Sequence, residues 1–234
     1  MMRVLQHSDG NGLPHVRAGR ARRRWPVYVL GALFVLASTF GGFALYTGQI
    51  GDNFREVSPH KCYRSAQLSP QALKRHVQKC GIRCVVSVRG GSDRAAWFRD
   101  EKQVCQELNC VHVSYDVSLG RLPEPKELAG LTQQLERGPY PMLLHCKKGA
   151  DRTALAAVLY LMVVEHKTLS QALDSQLTWR YGHVRLGSAA SIDEFFDLYQ
   201  ADSGRHDIKS WILDVYPDLY RQRYPDRTPR LKDF

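Results

Sequence analysis

No two cysteines in this chain stand two residues apart. The nearest spacings are Cys80-x3-Cys84 and Cys105-x4-Cys110, neither of which is a zinc-knuckle pair. No metal is therefore expected, and no sequence feature calls for a cofactor. Basic and aromatic residues do not interleave as they do on single-strand platforms, so the net charge of +10 gives no reason to invoke nucleic acid. Acidic residues are nearly missing from the first 46 positions, which hold six Arg and one Asp and carry half of the net charge. Charge of either sign is missing from 27–46. No internal repeat is visible.

The uncharged stretch 27–46 has the length of a bilayer-spanning helix, about 30 Å at 1.5 Å per residue. Trp25, Tyr28 and Tyr46 stand at its ends, where interfacial aromatics sit. Arg17, Arg20, Arg22, Arg23 and Arg24 precede it, and the next basic residues are Arg55 and Lys61. The positive-inside rule then puts the N-terminus in the cytoplasm and the rest of the chain on the far side, the periplasm in a bacterium. The stretch is long for a cleaved signal peptide and no Ala-x-Ala site follows, so an uncleaved single-pass anchor is expected. Residues 1–26, rich in Gly, Pro and Arg, read as a disordered basic leader.

What remains, about 190 residues, suffices for one core. Ser69-Pro70 opens a helix that stops before Gly81. Residues 82–88 and 111–115 read as strands, and 94–109 and 124–137 as helices, the last stopped by Gly138-Pro139. Pro141 to His145 is a short apolar strand, and the run from Thr153 to Glu165 a buried helix. Ser170 is read as the cap of a helix over 171–180. Further helices are expected at 191–200 and 208–220, with an extended tail at 224–229. Alternating strands and helices imply an α/β fold with a mainly parallel central sheet flanked by helices. The division is 54–200 for the main domain and 201–234 for a C-terminal helical extension and tail.

The loop between strand and helix carries the chemistry. It reads His145-Cys146-Lys147-Lys148-Gly149-Ala150-Asp151-Arg152-Thr153. Such a loop, feeding a helix N-terminus, aims unpaired N–H groups at one point and favours an anion there. Gly149 gives the turn its backbone freedom. Arg152 adds a planar fork that fits two phosphate oxygens. The same field favours the thiolate of Cys146, which is the nucleophile. The loop can thus bind a phosphate and attack it with sulfur, giving a covalent thiophosphate. Thr153 is placed to hydrogen-bond the sulfur, and His145 to orient the loop through a ring N–H. The bland alternative, an inert buried cysteine beside a surface arginine, leaves the spacing unexplained.

His145-Cys146, five residues, then Arg152-Thr153 resembles the signature of the cysteine-dependent protein tyrosine phosphatase superfamily, and its form is similar to the compact dual-specificity branch found in bacteria. Tyr63-Arg64-Ser65-Ala66-Gln67 resembles the segment that opens the catalytic domain there, so the similarity spans roughly residues 54–200. It implies the dual-specificity phosphatase fold and a phosphoric monoester hydrolase acting on phosphotyrosine or phosphoprotein. Phosphoinositides or other phospholipids and polyphosphates stand as the second substrate class. Lys147 and Lys148 suit highly anionic substrates, or are simply solvated.

The superfamily usually supplies a general acid, an Asp about thirty residues before the cysteine, which falls on Asp116 at a strand end. Asp151, inside the loop, competes for that role, and Asp93 is a weaker third. His183 and Arg185 lie in a polar loop that can touch substrate or order water, or simply form a turn. Ala154 departs from the pattern, which has Gly there, so a tethered phosphate-binding protein with little turnover stays open. A rhodanese-type sulfurtransferase is a minor rival, since its loop lacks His-Cys and Arg-Thr. Six cysteines in an oxidising compartment permit disulfides whose pairing the sequence does not give.

Overall fold

A computed structural model of the protein describes residues 25–45, 52–202 and 204–227. The expected disordered leader lies outside these, except that Trp25 and Pro26 already belong to helix α1 (Trp25–Leu45). Its side chains are described over 28–42, where they are apolar all round and mostly exposed. No helix among the described residues is long and apolar enough to cross a membrane. The expected span at 27–46 is therefore not shown; Val27 and residues 43–46, which would complete it, lie outside the described side chains.

The domain that follows is built on a five-stranded sheet in the order β1-β2-β5-β3-β4. The strands are β1 (Arg55–Ser58), β2 (Cys62–Ser65), β3 (Cys84–Ser87), β4 (Val111–Ser114) and β5 (Met142–His145). Three neighbouring pairs run parallel, and β1 lies antiparallel to β2, so the sheet is mixed rather than purely parallel. The first two strands escape sequence reading because Arg55, Glu56, Arg64 and Ser65 break any apolar run.

Alternation along the strands sends side chains to two faces. Val85 and Leu143 point to one face, into a cluster with Leu73 and Val77 of α2 (Pro70–Cys80) and Val104 and Cys105 of α3 (Ala96–Glu107). Cys84, Val86, Met142 and Leu144 face the other. There they meet α4 (Pro125–Arg137) and α5 (Asp151–Val163). α5 is fully buried over most of its length, which is why its sequence is apolar on every side. The result is three layers, with α5 starting at the carboxyl end of the central strand β5.

Two boundaries differ from expectation for clear reasons. α6 (Leu169–Gln176) begins earlier because Thr168, not Ser170, is its cap. Thr168 Oγ1 accepts from the Gln171 amide at 3.3 Å, and Gln171 Oε1 accepts from the Thr168 amide at 3.2 Å, a capping box. It ends at Gln176, where Arg64 takes the carbonyl, and Trp179–Tyr181 form a separate 3-10 turn. The tail expected to be extended instead turns at Pro225–Arg227, and positions 228 onward lie outside the described residues.

The C-terminal helices add to the same core. After α7 (Ala190–Asp202), a run of α8 (Ile208–Ser210), a π-turn at Trp211–Val215 and α9 (Tyr216–Arg223) inserts Trp211, Ile212 and Tyr216. Trp211 is fully buried, with Phe195, Tyr199 and Tyr216 at ring-centroid distances of 5.5, 5.3 and 5.2 Å. Trp211→Ala should cost about 3–5 kcal/mol of stability. Urea unfolding checks this by a lowered midpoint at unchanged slope. A loss below about 1 kcal/mol would mean these helices do not close the core.

Candidate active site

β5 ends in His145, and Cys146 begins a tight loop that enters α5 at Asp151. Gly149 adopts a φ of +69°, the left-handed region. A Cβ there would fall 2.6 Å from the Ala66 amide nitrogen and 2.7 Å from the Ser65 carbonyl. The loop therefore presses its backbone on the end of β2, and only glycine fits.

The loop's carbonyls are all held from behind. The Gln67 amide donates to the Lys147 oxygen at 3.3 Å. Asn53 Nδ2 donates to the Lys148 and Gly149 oxygens at 3.3 and 3.1 Å. Arg64 Nη2 donates to the Gly149 and Ala150 oxygens at 2.8 and 3.3 Å. With its carbonyls turned back, the loop presents its amides to the opposite, concave side. None of the described hydrogen bonds is donated by the amides of Lys147, Lys148, Gly149 or Ala150. Such a nest, at the N-terminus of a buried helix, is built for an anion.

Arg64 is the fastener. It is fully buried, its Nη1 donates to both the carbonyl and the side-chain oxygen of Gln176 at 2.9 Å, and its guanidinium stacks on Tyr181 at 3.9 Å. Burial lowers its pKa to about 10, which leaves it charged at neutral pH. The Tyr63-Arg64-Ser65 match in the sequence thus marks a strand whose arginine ties the anion loop to α6.

Arg152 is in the first turn of α5. Its Nη1 donates to the carbonyls of Arg89 at 3.2 Å and Val117 at 3.4 Å, which fixes the guanidinium between two loops. Its Nε is buried with no protein partner, as is the Thr153 hydroxyl. Both suit an incoming oxyanion and a neighbouring sulfur. Cys146 is 3 % exposed, buried at the start of the loop. Ala154 is fully buried in the same turn, and its amide closes on the Ala150 oxygen at 2.8 Å, as a normal helix does. The six cysteines are all free thiols.

Glu101 of α3 organises the far side. Its Oε1 lies 3.0 Å from His145 Nε2 and 2.8 Å from His112 Nε2, and Gln67 donates to Oε2. Burial alone would raise its pKa. The charge of His145 and the hydrogen bonds from His112, His145 and Gln67 outweigh burial, and hold the carboxyl well below the usual carboxylate range. His145 is thereby oriented by a buried carboxylate one helix away. Nothing in the sequence flags Glu101, which sits between Asp100 and Lys102 on an ordinary charged helix.

The three acid candidates fall in different places. Asp116 follows β4, is exposed, and has its amide held by Glu127 Oε2 at 2.8 Å. Its carboxyl lies over Gly90, whose Cβ position would be 2.6 Å from Asp116 Oδ1. The residues flanking this contact, Arg89 and Val117, are the two that bind Arg152. Asp116 is therefore on the rim with its side chain uncommitted to any described hydrogen bond. Asp151 is committed: its Oδ1 lies 2.7 Å from His183 Nδ1. Asp93 pairs with Lys102 at 3.4 Å. Lys147 and Lys148 are exposed beside the loop, and Arg185 is paired with Asp197 rather than aimed at the nest.

His183 is 7 % exposed and bridges two carboxylates, with its Nε2 3.3 Å from Asp193 Oδ1. Burial alone lowers its pKa, but the hydrogen bond it donates to Asp151 and the charges of Asp193 and Asp151 prevail and raise it. A raised folded-state pKa means the stabilisation is complete below the unfolded value of about 6.5 and is lost as pH rises through the folded value. The Tm deficit of His183→Asn should therefore be largest near pH 6 and shrink toward pH 9 in a thermal series. A deficit independent of pH would mean the ring is neutral in the fold. Asp193 was not among the residues the sequence singled out, since it lies on a helix of mixed composition.

Among the described residues no cluster of His, Cys, Asp or Glu is arranged to hold a metal ion. A family model described as the tyrosine phosphatase family matches residues 40–185. No curated protein matches the chain. Among solved structures, a DUF442 protein from Shewanella putrefaciens CN-32 is 16% identical with a TM-score of 0.51, covering 65% of this chain and 92% of that one. TpbA of P. aeruginosa is 26% identical with a TM-score of 0.46, covering 64% of this chain and 91% of its own. The core catalytic domain of the S. cerevisiae PP-IP phosphatase SIW14 is 14% identical with a TM-score of 0.49, covering 64% and 92%. The first of these shares the fold described above.

Proposed function

The chain belongs to the tyrosine phosphatase family, and from that premise we propose that it hydrolyses phosphomonoesters through a cysteinyl-phosphate. One observation carries the reading: every carbonyl from Lys147 to Ala150 is tied back, leaving a nest of amides around the thiol of Cys146. In the first step the Cys146 sulfur attacks phosphorus and the P–O bond to the leaving group breaks. Arg152 and the loop amides hold the three spectator oxygens as charge redistributes. Asp116 gives its proton to the leaving oxygen. In the second step water attacks phosphorus, Asp116 takes a proton from it, and the S–P bond breaks. The Thr153 hydroxyl donates to the departing thiolate.

Phosphotyrosine or phosphoprotein is the first substrate class on this reading, and a phospholipid or other polyanion the second. Lys147 and Lys148 support the second by raising the potential at the mouth. The uncharged run 27–46 and the arginines before it support a single-pass anchor with the catalytic domain outside the cytoplasm. The test is release of inorganic phosphate from para-nitrophenyl phosphate and from phosphotyrosyl and phosphoseryl peptides, under reducing conditions. Turnover of the aryl phosphate with preference for the phosphotyrosyl peptide fits the reading. No release from any of them would leave a binding protein.

A further inference from the structure

We infer that the catalytic mouth is a membrane-docking rim, and that its phosphomonoester is carried on a lipid head group. This rests on the phosphatase reading above and narrows its substrate. Outside α1, few large apolar side chains are strongly exposed, and four of them belong to the loops around the nest: Leu119, Trp179, Val184 and Leu186, at 38, 66, 55 and 74 % exposure.

Each sits on a segment hydrogen-bonded to the anion loop, to the Asn53 side chain that holds it, or to the loop after Asp116. Leu119 is in the loop after Asp116, where the Gly120 amide donates to the Ser188 oxygen at 2.9 Å, joining that loop to the one carrying Leu186. Val184 follows His183, which holds Asp151 of the anion loop. Trp179 begins the 3-10 turn whose Tyr181 carbonyl accepts from Asn53, the same side chain that holds Lys148 and Gly149.

Exposed apolar side chains on loops are unfavourable in water and gain by insertion into an interface. Lys147 and Lys148 of the anion loop and Arg180, next to Trp179 in the chain, are exposed and in none of the described ion pairs. Exposed apolar side chains together with unneutralised cations complement an anionic lipid surface.

The test uses the full chain in phosphatidylcholine–phosphatidylglycerol nanodiscs doped with phosphatidic acid or phosphatidylinositol 4-phosphate. Wild type should release phosphate from at least one of these lipids. The double variant Val184→Ser/Leu186→Ser should lose about tenfold or more of that kcat/KM, yet keep its rate on para-nitrophenyl phosphate within about twofold. Should the double variant lose the aryl phosphate rate too, brominated phosphatidylcholine decides. It should quench a component of wild-type tryptophan emission that Trp179→Phe removes, and no such component would overturn the docking. Unchanged lipid turnover in the double variant overturns the proposal. So does wild type that cleaves the phosphotyrosyl peptide and neither lipid, which would make the partner a protein. Failure on para-nitrophenyl phosphate itself is a distinct outcome, because it removes the phosphatase reading along with this one.

Discussion

Cys146→Ser should lower kcat on any phosphomonoester by a factor on the order of 10⁴ or more, while phosphate still binds. The serine hydroxyl would occupy the same nest, but a hydroxyl ionises far less readily than a thiol. In this step Asp116 serves as the acid and does not take the serine proton. His145 has its Nε2 engaged with Glu101, and its Nδ1 is buried. The anion cradle is untouched, because Gly149, Arg64 and Arg152 keep their partners. Competitive inhibition by inorganic phosphate or vanadate should therefore survive, and its constant should change little. A loss of only tenfold would mean that sulfur is not the attacking atom. A loss of phosphate binding in step with turnover would mean instead that the loop had collapsed.

The second large effect is at Asp116. Asp116→Asn should slow hydrolysis of a substrate with a poor leaving group, such as phenyl phosphate or phosphoserine, by about 10²–10³-fold. With a nitrophenol leaving group, which departs without protonation, the first step should hardly change. The slope of log kcat/KM against leaving-group pKa should therefore steepen in the variant. The opposite assignment, with Asp151 as the acid, predicts that pattern for Asp151→Asn. The geometry argues against it, since Asp151 Oδ1 is 2.7 Å from His183 and that ring also reaches Asp193. Asp151 holds α5 to the 178–190 segment through this contact. An equal lowering of kcat/KM for all substrates by Asp116→Asn would remove Asp116 as the donor to the leaving group.

The anion loop was legible because its signals are local. A short apolar strand, a glycine, an arginine and an apolar helix follow one another within about 25 residues, and each owes its place to backbone geometry. Asp116 was legible as a position, since a strand end before a glycine loop is easy to recognise. What escaped was everything that acts across the sheet. Arg64 belongs to a strand whose polar sequence hides it, and its partners Gly149 and Gln176 lie 85 and 112 residues away. Glu101 looks like one more surface charge on α3 until His145, His112 and Gln67 converge on it.

Local competition explains the smaller errors. Thr168 and Ser170 are both good caps, and only the return hydrogen bond from Gln171 decides between them. β1 was missed because an edge strand can be polar, and β2 because its buried Arg64 is satisfied by the distant Gly149 and Gln176. The uncharged run at 27–46 is the converse case, a strong sequence pattern whose ends fall outside the described side chains.

The proposed chemistry turns on a bond between Cys146 and phosphorus. Wild type and Asp116→Asn should be mixed with para-nitrophenyl phosphate, quenched in acid within a turnover, digested and analysed by mass spectrometry. The peptide containing Cys146 should carry one phosphoryl group, with more of it in Asp116→Asn, where hydrolysis of the intermediate loses its base. It should be absent from Cys146→Ser. Phosphate release at full rate with Cys146 unmodified at every quench time would contradict the mechanism.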